Sequence, residues 1–578
     1  MATFYEIKTA DAAAPQVDGL PPGVTRTAAL FFGVLTAIAI PYAVIAATGE
    51  PPDEDAETLL GRVADLRAWM PGDAVPFSTL FTTTDAGVAI AEAGMTRLSA
   101  AGVPAEAAGP LAALAADPGG DAEGPDLAAP FVLVRPPETR PPAPTHEPPD
   151  AGPTDASPTA IAADAGATSV DAGPAAEDSA PARPTDPLAG VVVPPEAWEG
   201  ITAEIEDPSG AMAHFYASLG RTALAEPGAV TRITQWGDSA IAADGMTAAA
   251  RRLLQRQFGD AGHGFGLVAS GNPWYRQKDV DWTSSGWKTW EFIRKQASDG
   301  RYGYGGVAAV GYLGAAATWA TVEGATGDKA SRFEVWYAAD KGGGKLEVSV
   351  DGEALATLDT EAGAPSDEVY AVDVPDGQHT FKIRNVGGGA TRVFGVVLER
   401  SVPGVVYDAI GIVGARAARQ LFADEQHFVG QIAKRRPDLM ILMYGGNALP
   451  DKTSMDVYEE AFGQVVERFR RGRPEASCLV MSPLDHGERH RGRVRSVPRI
   501  HELMAAQRKV ALAKGCAWYS IFDAMGGEGS VGTWYDSGLT ASDLAHPTAR
   551  GSKVLGALWY KSLMKGFAGW LETRKVTP

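Results

Sequence analysis

Hydrophobic and polar positions change period several times along this chain of 578 residues. Pro208-Ser209-Gly210 leads into a segment with Met212, Phe215 and Leu219 on one helical face. Val230 to Trp236 then reads as a strand. Met246, Ala250, Leu253 and Gln257 follow at helical spacing, completing a strand–turn–helix unit. The same alternation returns after residue 404. Strands are expected at Val405–Ile412, Leu439–Tyr444, Cys478–Ser482 and Ala517–Phe522, with helices between them and a last helix from about Ser552 to Trp570. Strands alternating with helices predict a parallel, three-layer α/β/α sheet. Between 303 and 400 the period falls to two. Phe333 to Tyr337 alternates, as do Leu346, Val348 and Val350, and Asp351-Gly352 offers a tight turn. Val369–Val374, Phe381–Ile383 and Val393–Leu398 continue in short strands. The pattern predicts an antiparallel β module, a jelly-roll sandwich, that interrupts the α/β domain after its first βα unit.

The N-terminal third has a different grammar. Residues 28–47 contain no charge, and 20 such residues are enough to cross a bilayer. Arg26 precedes the run, and Glu50, Asp53, Glu54, Asp55 and Glu57 follow it. This flank predicts a membrane anchor with residues 1–27 in the cytoplasm. A cleaved signal peptide ending near Ala46-Ala47 is the rival, for which a 27-residue lead is long. Residues 48–134 are Ala-rich and show no motif. Residues 135–190 are rich in Pro, Ala and Asp, with Asp-Ala-Gly repeated at 150, 164 and 171. Such a segment cannot bury enough apolar surface to fold and reads as a disordered, acidic linker. The α/β domain is then expected over 191–302 and 401–578, with the module at 303–400. Anchor, tether and catalytic body suit a cell-envelope protein whose catalytic domain lies outside the cytoplasm, periplasmic if anchored, secreted if cleaved.

Charge narrows the partners. A net charge of −20 argues against nucleic acid, which needs a cationic surface, and is compatible with a neutral or acetylated polysaccharide. Cys478 and Cys516 each sit in an apolar, strand-like run. They are expected to be buried free thiols, with a disulfide between neighbouring strands as the alternative. No Cys/His group has zinc spacing, so no metal is implied, and the chemistry below requires no cofactor.

Candidate chemistry gathers at expected strand ends. Gly237-Asp238-Ser239 places a serine after a strand and before a helix, at the carboxyl edge where open α/β sheets build sites. Asp-x-x-His occurs four times, at Asp260/His263, Asp376/His379, Asp424/His427 and Asp543/His546. Only the last falls between the final strand and the final helix, where it can face Ser239. There Asp543 would fix the imidazole tautomer, and His546 would take the serine proton. Acyl transfer also needs oxyanion donors. Gly411 and Gly414 follow one strand, and Gly445-Gly446-Asn447 follows another, offering amides and the side chain of Asn447.

Taken in order, Ser239, Gly414, Asn447 and Asp543-x-x-His546 resemble the SGNH, or GDSL-type, hydrolase family. The flanks WGDSAIAADGMTAAARRLLQRQFGDAGHGF and GVVYDAIGIVGA, split by a β module, are similar to its peptidoglycan O-acetylesterase branch. Val413 stands where those relatives often carry Asn. The resemblance implies a serine esterase that removes O-acetyl groups from a cell-envelope glycan, with peptidoglycan the leading substrate. It implies Ser239 as nucleophile, Asp543 and His546 as its relay, and the Ser239 and Gly414 amides with Asn447 as the oxyanion hole; Gly411 is the fallback for Gly414. An O-acetyltransferase with the same residues is one alternative, and a non-catalytic glycan-binding envelope protein is another. Trp274 and Trp287, in an aromatic-rich segment, are expected to stack on sugar. His486 and His490, in a charged loop after a strand, are read as solvent-facing or at the crevice rim.

Overall fold

The structure, a computed structural model, describes residues 186–575 apart from Ala325. The uncharged run 28–47, the Ala-rich region 48–134 and nearly all of the linker lie outside the described residues.

The first α/β unit comprises the helix Ala213–Ala223, strand β1 (Val230–Gly237), a short helical turn Ser239–Ala242 and the helix Gly245–Phe258. Strands β2 (Gly264–Gly266), β3 (Val280–Glu291), β4 (Val307–Thr321), β5 (Ala330–Ala339), β6 (Lys345–Val350), β7 (Glu353–Asp359), β8 (Ser366–Gly377), β9 (Thr380–Gly387) and β10 (Thr391–Glu399) follow as one antiparallel system. The chain then returns through β11 (Gly404–Gly411), β12 (Leu439–Met443), β13 (Ser477–Met481), a ribbon of β14 (Gly487–His490) with β15 (Arg493–Ser496), and β16 (Ala517–Tyr519). It closes on the helix Ala549–Lys575.

Five strands form the parallel sheet, in the order β11-β1-β12-β13-β16. Every residue of β12 and β13 is buried. Both faces are covered, so these strands read as continuous apolar runs rather than as an alternation. On one face Phe215, Leu219, Leu254 and Leu555 bring in the helices Ala213–Ala223, Gly245–Phe258 and Ala549–Lys575. On the other, Phe428, Phe462, Val465 and Val510 bring in Glu425–Arg435, Met455–Gly472 and Arg499–Ala513. Gly237 pairs with Gly411 on one side and Met443 on the other, so three strands end level and form one rim.

The β module starts earlier than the period suggested. β2 pairs with β10, and β3 runs along β4, so its sheet begins at Gly264 rather than near 303. Strand β3 escaped notice because it is mostly polar and a bulge between Ser285 and Trp287 breaks its alternation. The sheet order is β7-β6-β9-β4-β10-β5-β8. Phe333 of β5 nevertheless stacks on Phe381 of β9 at 4.7 Å, although β4 and β10 lie between those strands. The sheet therefore folds over into a sandwich, turning where β4 leaves β10 at Gly311 and joins β9 at Ala316.

Module and α/β domain share one core. Trp236 of β1 packs edge-on against Tyr304 at 5.1 Å and Phe469 at 4.9 Å. Beside it, Glu399 accepts hydrogen bonds from Arg232 and Arg435, and Arg435 also donates to Asp408. Cys478 and Cys516 are joined in a disulfide, which corrects the expectation of free thiols. Strands β13 and β16 are hydrogen-bonded neighbours, and their register brings the two sulfurs together, which spacing along the chain could not disclose.

Candidate active site

Ser239 opens a helical turn whose first free amide, that of Ala240, is capped by the Asp238 carboxylate at 3.1 Å. Gly411 lets this turn approach β11. A Cβ there would stand 2.1 Å from the Ala242 nitrogen, so any larger residue would push Ser239 off the rim.

The Ser239 hydroxyl donates to His546 Nε2 at 2.8 Å, and His546 Nδ1–H donates to Asp543 Oδ2 at 2.7 Å. The two bonds require one tautomer, with the proton on Nδ1. Asp543 also holds the loop itself, because its Oδ1 accepts the amides of Ala545 at 3.0 Å and His546 at 3.1 Å. Burial raises the Asp543 carboxyl, but the His546 side chain and these amides outweigh it and hold the group below its ordinary value. Between Asp543 and His546, Leu544 is buried with a left-handed φ of 59°. Such strain in a non-glycine residue persists only where the surroundings impose it.

A pocket of about 200 Å3 opens over Ser239, lined also by Asp238, Tyr444, Gly446, Asn447, Leu484, His486 and His546. Asn447 Nδ2 donates to Ala415 O at 3.2 Å, which ties it to the turn carrying Gly414. It also hydrogen-bonds the buried Asp238 carboxyl, which burial pushes up from its ordinary value against the opposing Ala240 amide. Gly414 is exposed with a left-handed φ of 81°, just beyond the end of β11.

The sequence-predicted residues divide cleanly. Ser239, His546 and Asn447 line one pocket, Asp543 stands behind His546, and Gly414 lies outside the lining, next to the Ala415 carbonyl that Asn447 reaches. Trp274 is 71% exposed on a loop held to the Ser239 turn, where Arg276 N donates to Ala242 O at 2.9 Å. Trp287 is half-buried; its ring packs on Gly311, and its buried Nε1 finds no partner among the described residues. His486 is half-buried and lines the pocket, at the crevice rim, while His490 is exposed to solvent. The signal for it was available, since His486 follows the carboxyl end of β13 much as Asn447 follows that of β12.

A hydroxyl aligned on a carboxylate-held imidazole, in a small pocket at the carboxyl rim of an α/β/α sheet, is equipped for acyl transfer. Fold and site define a carboxylic ester hydrolase of the SGNH type. Residues 375–554 match the GDSL-like Lipase/Acylhydrolase family; that stretch contains Gly414, Asn447, Asp543 and His546, while Ser239 precedes it across the module. The fold is that of a solved peptidoglycan O-acetylesterase ("in action, 5 min"), with a TM-score of 0.55 and 23% identity over 63% of this chain and 99% of that one. A family two carbohydrate esterase from Cellvibrio japonicus aligns with 50% of this chain and 99% of its own, at 11% identity and a TM-score of 0.21. No curated protein matches the sequence.

Proposed function

We propose that this protein removes O-acetyl groups from a cell-envelope polysaccharide, peptidoglycan foremost, through an acetyl-serine intermediate. The observation that carries this reading is the unbroken relay from Ser239 through His546 to Asp543 in a pocket sized for a small acyl group. The glycan is taken from the likeness in fold to the peptidoglycan O-acetylesterase.

His546 Nε2 takes the Ser239 proton as Oγ bonds to the acetyl carbonyl carbon. The negative charge on the carbonyl oxygen meets the Ser239 and Gly414 amides and the Asn447 amide, one of whose hydrogens passes from the Asp238 carboxyl to the oxyanion. The carbon–oxygen bond to the sugar breaks, and His546 returns its proton to the departing hydroxyl. Water then loses a proton to His546 and attacks the acetyl-serine, releasing acetate and restoring Ser239. The His546 side chain is 45% exposed, so water has direct access to the base, which favours hydrolysis over transfer to a second sugar. The disulfide supports placing this domain in an oxidising compartment outside the cytoplasm, as does the uncharged run 28–47. Trp274, projecting beside the Ser239 turn, offers a face for a flanking sugar.

Acetate release from O-acetylated peptidoglycan should fall in Ser239→Ala by at least about 10^3-fold, to what the remaining site supplies. Retention of wild-type release by this variant would end the proposal.

A further inference from the structure

We infer that the β14–β15 ribbon reads negative charge on the substrate, so that the acetylated polymer carries carboxylates close to the ester; this rests on the esterase reading above. Of the chain's 71 acidic and 51 basic residues, 25 and 8 lie in residues 1–185, which leaves 46 and 43 from residue 186 onward, close to neutral. The ribbon concentrates positive charge on this background. Residues 487–496 hold Arg489, Arg491, Arg493 and Arg495 with His490, against a single acid, Glu488. Arg495 takes that acid at 2.8 Å, and Arg489 lies over the Tyr535 ring at 5.2 Å. Val494 packs beside Gly532, so one face of the ribbon is seated on the helix Ser530–Asp536. His490 pairs with Arg493 on the opposite face, and Arg491 occupies the turn. These three side chains are exposed, and no partner for them occurs among the described residues.

The ribbon is rooted in the active site at two points. His486, immediately before it, lines the pocket and donates from Nδ1 to Leu484 O at 2.8 Å. Gly487 N donates to Leu544 O at 2.7 Å, and Leu544 sits between Asp543 and His546. At a rise of about 3.4 Å per residue, Arg491 and Arg493 lie within roughly 20 Å of His486 and the pocket, within reach of the units flanking a bound ester. Unpaired guanidinium groups on a ribbon rooted at the pocket supply local positive charge and the planar fork that fits a carboxylate. The carboxylates belong either to peptide branches or to sugar acids, which share this chemistry.

The test uses the full chain and its Arg491→Ser/Arg493→Ser variant. Four esters are compared: 4-nitrophenyl acetate, O-acetylated peptidoglycan fragments with free peptide carboxylates, the same fragments with those carboxylates amidated, and acetylated oligogalacturonate. Binding of the glycans is measured alongside in the Ser239→Ala background, so the result does not depend on turnover. The variant should hold kcat/KM on 4-nitrophenyl acetate within about twofold and lose roughly fivefold in binding and kcat/KM on a carboxylated glycan. The loss should vanish on amidated fragments and shrink between low and high salt. The glycan that shows the loss identifies the source of the carboxylate. Equal losses on free and amidated fragments, or no loss on either acidic glycan, would overturn the inference. So would loss of binding to anionic phospholipid vesicles with glycan binding unchanged. Absence of acetate release by the wild-type chain from every ester would instead count against the esterase reading alone.

Discussion

The Asp543 carboxylate grips His546 twice, through its ring and through its backbone amide, and only this combination aims the imidazole at Ser239. The other three Asp-x-x-His pairs show what the spacing does otherwise. Asp424 caps the amide of His427, but the His427 ring turns to Asp367 at 2.6 Å and receives the Gly303 amide on Nε2. His379 donates from both nitrogens, to Asp351 and to Pro375 O, and these partners raise its pKa against the opposing effect of burial. His263 is buried on Lys278 O, and burial lowers its pKa. Removing the charge at position 543 while keeping its shape isolates the orienting role. Asp543→Asn should bind substrate normally and lose about 10^3–10^4-fold in kcat on an acetate ester. A loss confined to KM would show that Asp543 acts on binding instead.

Elements meet through buried charge and through a covalent staple. Burial alone would raise the Glu399 carboxyl, but Arg435 and Arg232 hold it down at about 2. An unfolded glutamate titrates near 4.3. The folded value is the lower one, so Glu399 stabilises the protein above the unfolded value, and that stabilisation is lost as pH falls from about 4.3 toward 2. Glu399→Gln should therefore cost about 3–5 kcal/mol near neutral pH, with the deficit shrinking in acid. Urea unfolding at several pH values reads both effects; a deficit that persists unchanged in acid would contradict them. The Cys478–Cys516 bridge closes a segment of 38 residues between neighbouring strands. By the loop-closure argument its removal should cost about 3–4 kcal/mol. Cys478→Ala/Cys516→Ala should lower the melting temperature in oxidising buffer and abolish the sensitivity of that temperature to reductant.

On the scale of the whole molecule, the module is built into the enzyme rather than hung on it. Trp236 lies beneath the serine-bearing rim, and its ring packs on Tyr304, which in turn meets Phe265 and Trp336 of the module. Excising residues 264–399 would remove Phe265, Tyr304 and Trp336, lay Trp236 bare and leave Arg232 and Arg435 without Glu399. Such a protein should fail to fold, as read by circular dichroism and limited proteolysis, rather than survive as a smaller esterase. A soluble, active deletion would show that the shared core is dispensable.

Much of this was legible in the order of residues. The buried strands β12 and β13 announce themselves as apolar runs, and Gly445-Gly446-Asn447 at the end of β12 marks the rim. The chain alone thus determined the α/β class, the interruption by a β module, and the candidates Ser239, Gly414, Asn447, Asp543 and His546. It could not separate β3 from loop, because a bulged and largely solvated strand leaves no period to read. It could not pair Cys478 with Cys516, seat Trp287 on Gly311 or bring His486 into the pocket, because each depends on register and packing between distant segments. Local pattern follows from which side of an element faces water. Which aspartate finds which histidine is decided only when the sheet closes and sets strand ends side by side.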